Sequence, residues 1–216
     1  MPIGISKQEL EIVGYDFTLN TGTVITSSKI INTTKFINSL VKVLVNVKNT
    51  DLLFIDGTSK LTGINEILKY FYNDNFEKVL ESFNTYFEKL KEYKVDRNQL
   101  VIIYGFDKFM NKLNNKTLFE KFISYIKEND LYKIILIDDA NKIKTYGYEN
   151  WYTSMFSNSD GIWIGKGIAD QSLFKIGTIK KEYLEEFKNN YGLVVSDGTP
   201  IITKLIEFDR SDSDEK

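Results

Sequence analysis

Gly22-Thr23-Val24-Ile25-Thr26-Ser27-Ser28-Lys29-Ile30-Ile31-Asn32-Thr33-Thr34 is the stretch on which the fold turns. Gly22 to Thr26 is a short apolar, β-branched run and reads as a buried strand. After Thr34 the apolar residues Phe36, Ile37, Leu40, Val41 and Leu44 recur at helical spacing. The stretch is therefore a strand, an eight-residue turn and the start of a helix. Three further runs repeat the first part of that pattern: Leu52 to Gly57, Leu100 to Gly105 and Ile134 to Asp138. Near-continuous apolar runs of this kind suit strands covered on both faces, as in a parallel sheet.

Helical patterns separate these runs. Phe76, Val79, Leu80, Phe83, Phe87 and Leu90 form one, behind an Asp74…Glu77 cap signal. Leu118, Phe119, Phe122, Ile123 and Ile126 form another, opened by Thr117…Glu120. Strands alternating with helices predict βαβ crossovers in one mostly parallel sheet. Past residue 145 the pattern loosens. Gly161 to Ile164 reads as a fifth core strand, Tyr183, Leu184 and Phe187 as a short helix, and Tyr191–Ser196 with Ile201–Phe208 as a closing β-hairpin around Asp197-Gly198. Leu10, Ile12, Val13 and Phe17 read as a strand on the sheet's edge, with Gly4 and Gly14 in turns. Residues 1–208 are read as one domain and 209–216 as a disordered acidic tail.

The turn Ser27-Ser28-Lys29-Ile30-Ile31-Asn32-Thr33-Thr34 has the length of the phosphate-binding P-loop, glycine-x4-glycine-lysine-Ser/Thr, but not its chemistry. Ser27 and Asn32 stand where the glycines belong, Thr33 where the lysine belongs, and Thr34 alone keeps its type. Glycines let backbone N–H groups close on phosphate, and β-branched Ile30 and Ile31 resist such a path. Lys29 lies on the wrong part of the loop. The second ATPase signature, four apolar residues and a magnesium-ordering acid, is lost too: Leu100-Val101-Ile102-Ile103 runs into Tyr104-Gly105, with Asp107 displaced along the chain. No cofactor is expected, and ATP with Mg²⁺ binds at most weakly.

Composition removes other chemistries. The 216 residues include no cysteine and no histidine, so disulfides, thiol nucleophiles, Ser-His-Asp triads and His-ligated metals are excluded. A net charge of −2 gives no basic field, so no nucleic-acid partner is expected. No stretch reaches the roughly 20 apolar residues of a membrane span. Asp56, Asp107, Asp138 and Asp139 lie near strand ends. They read either as caps for the segments that follow or as a metal-dependent hydrolase site, capping being favoured. Asn32, Thr33 and Thr34 read as a helix cap or an anion site, capping again being favoured. The cluster Tyr146-Gly147-Tyr148, Trp151, Tyr152, Met155 and Phe156 is dense for an irregular region. Of it, Tyr148, Trp151, Tyr152, Met155 and Phe156 form a candidate partner patch, with a helix packed on the sheet as the equal alternative.

Nearly the whole chain resembles an FtsK/SpoIIIE-type ATPase domain, most of all the degenerate C-terminal ATPase domain of type VII secretion coupling proteins of the EssC/EccC kind. The resemblance rests on Pro2-Ile3-Gly4-Ile5 with Leu10-Glu11 and Asp16-Phe17 before the loop, on Leu53-Phe54-Ile55-Asp56, on Ile134 to Ile137, and on Gly161 to Ile164 with the final hairpin. It implies a RecA/FtsK-like P-loop NTPase fold, a three-layer α/β sandwich with a C-terminal hairpin. It also implies the cytosolic portion of a membrane-anchored bacterial secretion protein, neighbouring ATPase domains that this domain regulates, secreted helical-hairpin substrates, and a homo-oligomer, a hexamer, of the parent. The changes at Thr33 and Tyr104 argue for a non-hydrolytic, substrate-recognising domain. The alternative within the family is a weak Mg-dependent ATPase using Thr34 with Asp107 or Asp56.

Overall fold

The computed structural model describes residues 1–58, 61, 70–72, 76–92, 96–184, 187 and 190–208. Among these, ten strands form one sheet: β1 (Pro2–Ser6), β2 (Ile12–Gly14), β3 (Gly22–Ser27), β4 (Thr50–Asp56), β5 (Tyr70–Tyr72), β6 (Asn98–Tyr104), β7 (Tyr132–Asp139), β8 (Gly161–Ile164), β9 (Tyr191–Ser196) and β10 (Thr199–Leu205). Their order is β2-β1-β10-β9-β8-β3-β7-β6-β4-β5. The six strands from β8 to β5 are parallel, joined in register by Ile25↔Ile162, Val24↔Leu136, Ile103↔Leu136 and Leu53↔Val101. The other four are antiparallel. The parallel share is thus smaller than expected, because the N-terminal residues add a hairpin beyond the C-terminal one.

Among the described residues six α-helices accompany the sheet: α1 (Thr34–Leu44), α2 (Phe76–Glu92), α3 (Phe106–Leu113), α4 (Lys116–Lys127), α5 (Ala140–Thr145) and α6 (Asn150–Thr153). Alternation along each strand divides the core into two faces. Val101, Ile103, Ile134 and Leu136 pack with Phe83, Phe87, Phe109, Phe119 and Phe122 of α2, α3 and α4. Leu100, Ile102, Ile135 and Ile137 pack with Phe36, Ile37, Leu40 and Val41 of α1. Two covered faces make the three-layer sandwich that the resemblance implied.

Several details depart from the sequence reading. α4 is capped by Asn115, whose side chain accepts from the Leu118 amide, rather than by Thr117. Gly4 and Gly14 lie within strands, and a Cβ on Gly4 would sit 2.3 Å from the Lys204 carbonyl oxygen. The edge segment forms a strand only over Ile12–Gly14, with Leu10 in a left-handed turn at φ 58°. Lys181–Leu184 is a single 3-10 turn. Strand β5 and helices α3 and α5 carried too short a pattern to be read. The Asp74…Glu77 cap, the side chains of Phe76, Val79 and Leu80, and the tail 209–216 lie outside the described residues.

Candidate functional site

Strand β3 delivers the eight-residue turn to the carboxyl edge of the sheet, where open α/β folds bind ligands. No residue of the turn has positive φ. With no glycine there, the backbone coils instead into a 3-10 turn, Ile30–Thr33, that runs straight into α1. Its side chains bond to one another. The Asn32 amide donates to Ser27 Oγ at 3.2 Å, and Thr33 Oγ1 donates to the Ile30 carbonyl at 2.7 Å. Neither Lys29 nor Thr33 caps a helix with its side chain, which corrects the capping expectation for Asn32-Thr33-Thr34. Lys29 is exposed, and so is Ile31.

The amide of Ile30 points instead at a carboxylate from the next strand: it donates to Asp139 Oδ1. Consecutive residues of a strand face opposite sides, so Asp138 and Asp139 at the end of β7 diverge. Asp139 turns to the loop. Asp138, fully buried, turns to α3 and accepts the Asp107 amide at 2.8 Å and the Asp139 amide at 2.7 Å. Lys142, one turn into α5, bridges them, 3.0 Å from Asp139 Oδ2 and 3.3 Å from Asp138 Oδ1. Burial holds the Asp138 carboxyl above the ordinary carboxylate range, against the opposing pull of these donors. An acidic side chain thus sits on the amide that a phosphate would need, and an anion arriving there would meet like charge.

Tyr104 completes the closure. Strand parity puts its ring on the α1 face, and its hydroxyl donates to the Ile30 carbonyl at 3.3 Å while lying 3.1 Å from Thr34 Oγ1. With the phenol hydrogen committed to Ile30, Thr34 is the donor to Tyr104. The hydroxyl that in a P-loop faces magnesium is thereby turned onto a phenol. Burial pushes that phenol's pKa up, so it stays neutral.

Gly105 follows in the left-handed region at φ 71° and starts α3, which carries Asp107 off the sheet edge. Asp107 accepts from Tyr146 Oη at 3.1 Å and Asn111 Nδ2 at 3.2 Å. Asp56 is wholly buried and accepts the amides of Thr58 at 2.8 Å and Leu61 at 2.9 Å. Among the described residues no three acids come together in a way that could hold a metal. Each of the four aspartates takes a backbone amide or a neighbouring side chain, although Asp139 makes no side-chain cap bond to the helix it precedes and Asp107 meets only side chains. They do not converge on Thr34.

The aromatic cluster divides. Trp151, Tyr152, Met155 and Phe156 are core residues. Trp151 packs edge-on against Phe119 at 5.1 Å and Phe106 at 5.8 Å, and Tyr152 stacks on Phe156 at 5.0 Å. Only Tyr148, 91% exposed, belongs to the surface. As a contiguous partner patch the five residues are therefore corrected: α6 turns Trp151 inward against α3 and α4.

No family model and no curated protein matches the sequence. Solved structures do share the fold. The cytoplasmic domain of EssC matches with a TM-score of 0.72 at 12% identity, over 96% of this chain and 44% of that one. ATPases 2 and 3 of Thermomonospora curvata EccC, in complex with a signal sequence peptide, match at 0.72 and 12% over 97% of this chain and 40% of that one. ATPases 2 and 3 of EssC from Geobacillus thermodenitrificans match at 0.70 and 12% over 96% and 41%. The chain spans less than half the length of these structures. It has the α/β fold of the EssC and EccC ATPase domains.

Proposed function

We propose that this chain, built on the EssC/EccC ATPase fold, serves a type VII secretion motor as a non-hydrolytic domain that recognises exported substrates and regulates neighbouring ATPase domains. The observation that carries the reading is the closed loop: Asp139 on the Ile30 amide, and Tyr104 between Thr34 and the Ile30 carbonyl. A domain that keeps the fold while filling both the phosphate and the magnesium positions with its own side chains has a surface to offer rather than a turnover. The described helices include none long and apolar enough to cross a membrane. The domain works in the cytoplasm as part of a longer, membrane-anchored parent that assembles as a hexamer, and its substrates are secreted helical hairpins.

The test is a thermal melt with and without millimolar MgATP. A ligand at about 100 times its Kd stabilises by about 2.7 kcal/mol, which raises the Tm of a domain this size by roughly 5–10 °C. No shift is expected; a rise of that size refutes the closed-loop reading. Substrate recognition is tested separately, by titrating the chain with helical-hairpin secretion substrates and following its amide resonances.

A further inference from the structure

Two adjoining cavities open beside the closed loop, one of about 420 Å³ and one of about 250 Å³, and they share Lys144, Ser172 and Leu173. The smaller is lined by Ser28 after β3, Asn141 after β7, and Trp163 and Asp170 of β8 and the segment that follows it. This is the crevice outside the strand ends where the chain's connections diverge: β3 leads toward β4 on one side and β8 toward β9 on the other. The larger cavity continues from it along α5 and α6, walled by Tyr148, Tyr152 and Phe156 with Asn158 at its rim.

Three features of the larger cavity point to one ligand chemistry. Lys144 is its sole ionisable residue of formal charge, and its ammonium has no ion pair or hydrogen bond among the described residues. Lys142, on the same helix, and Lys116, on α4, are both paired. Tyr152 is 8% exposed, and its hydroxyl, open to solvent at the cavity, has no hydrogen-bond partner among the described residues. The Tyr152 and Phe156 rings, stacked at 24° to each other, and the exposed Tyr148 ring give flat apolar walls. A volume of about 420 Å³ is within the range of small-molecule sites.

We propose that this cavity binds a small molecule carrying one anionic group on an aromatic body, with Lys144 pairing the anion, the Tyr148, Tyr152 and Phe156 rings covering the body, and the Tyr152 hydroxyl bonding a polar atom of the ligand. This site is separate from the 27–34 turn and does not depend on the secretion reading. The same chemistry is offered by a free mononucleotide and by the carboxyl end of a polypeptide finishing in an aromatic residue.

The experiment titrates the isotope-labelled chain with AMP in one arm and N-acetyl-phenylalanine in the other, reading backbone amide shifts. Adenosine and N-acetyl-phenylalaninamide are the uncharged controls. Saturable shifts at residues 144–158 and 171–173 are expected, with the charged probe binding at least about tenfold tighter than its control, the weight of one charge-assisted hydrogen bond. Response to AMP alone assigns a nucleotide, response to N-acetyl-phenylalanine alone a chain end, and response to both the shared chemistry. Lys144→Gln should cost about tenfold, and Tyr152→Phe, which removes only an unpartnered hydroxyl, about threefold with the fold intact. The proposal is overturned if neither probe moves these amides at millimolar concentration. It is equally overturned if the shifts fall on residues 27–34 instead, or if Lys144→Gln binds like the parent.

Discussion

Replacing Asp139 by alanine tests directly whether the loop is held by its own carboxylate. The Ile30 amide would lose its acceptor and Lys142 one of two partners. A hydrogen bond to a charged acceptor is worth about 1.5–3 kcal/mol. The figure must be trimmed, because the Asp139 side chain is 25% exposed and that of Lys142 35%, and Lys142 keeps Asp138. The expected loss is about 1–2 kcal/mol, or roughly 2–8 °C in Tm for a domain of this length. Asp139→Asn retains an oxygen for the Ile30 amide and should recover about half of the loss. Calorimetry gives the first number, and hydrogen exchange at the Ile30 amide, accelerated in the alanine variant alone, localises it. If Asp139→Ala melts within about 1 °C of the parent and Ile30 exchanges at the parental rate, the carboxylate does not close the loop.

Further expectations concern residues on which the two alternatives differ. Trp151→Ala should cost roughly 3–5 kcal/mol as a large core truncation, whereas Tyr148→Ala should stay within about 0.5 kcal/mol; denaturant melts separate them. Gly105→Ala should cost roughly 2 kcal/mol or more, because φ is 71° and the new Cβ would meet Thr58 Cγ2 at 2.4 Å. The raised pKa of Asp138 means that the folded state binds its proton more readily than the unfolded chain does. Its contribution to stability is therefore lost as pH rises from the ordinary carboxylate value through the folded one. Urea melts across that interval should show this downward slope, and Asp138→Asn should remove it.

What could be read from the sequence was whatever local pattern encodes. The core strands from Val24 to Ile164 announced themselves because both their faces are buried, so their apolar runs are unbroken. That the 27–34 turn lacks P-loop residues was legible because the motif depends on residue types at fixed spacing. What replaced it was not, since the acceptor for Ile30 lies 109 residues away and the hydroxyl facing Thr34 lies 70 away. Tyr104 could be seen as a missing acid but not as a filler. The burial of Trp151 was equally hidden: four residues of helix carry no periodicity, and its partners Phe106 and Phe119 come from other elements. That Lys144 shares a cavity wall with Tyr148, Tyr152 and Phe156 is visible only in the folded chain.

The pairing of β1 with β10 has a mechanical side. Gly4 lies opposite Leu205 and Ser6 opposite Thr203, and the Ile206 amide reaches the Ile3 carbonyl at 2.9 Å. Residues 2 and 206 therefore leave the sheet at the same corner. Tension applied between those two points would open the pair like a zipper, one rung after another, instead of shearing all the rungs together. Little force is needed to peel such a seam, while the six parallel strands inboard of it would be spared the load until the outer four had come away.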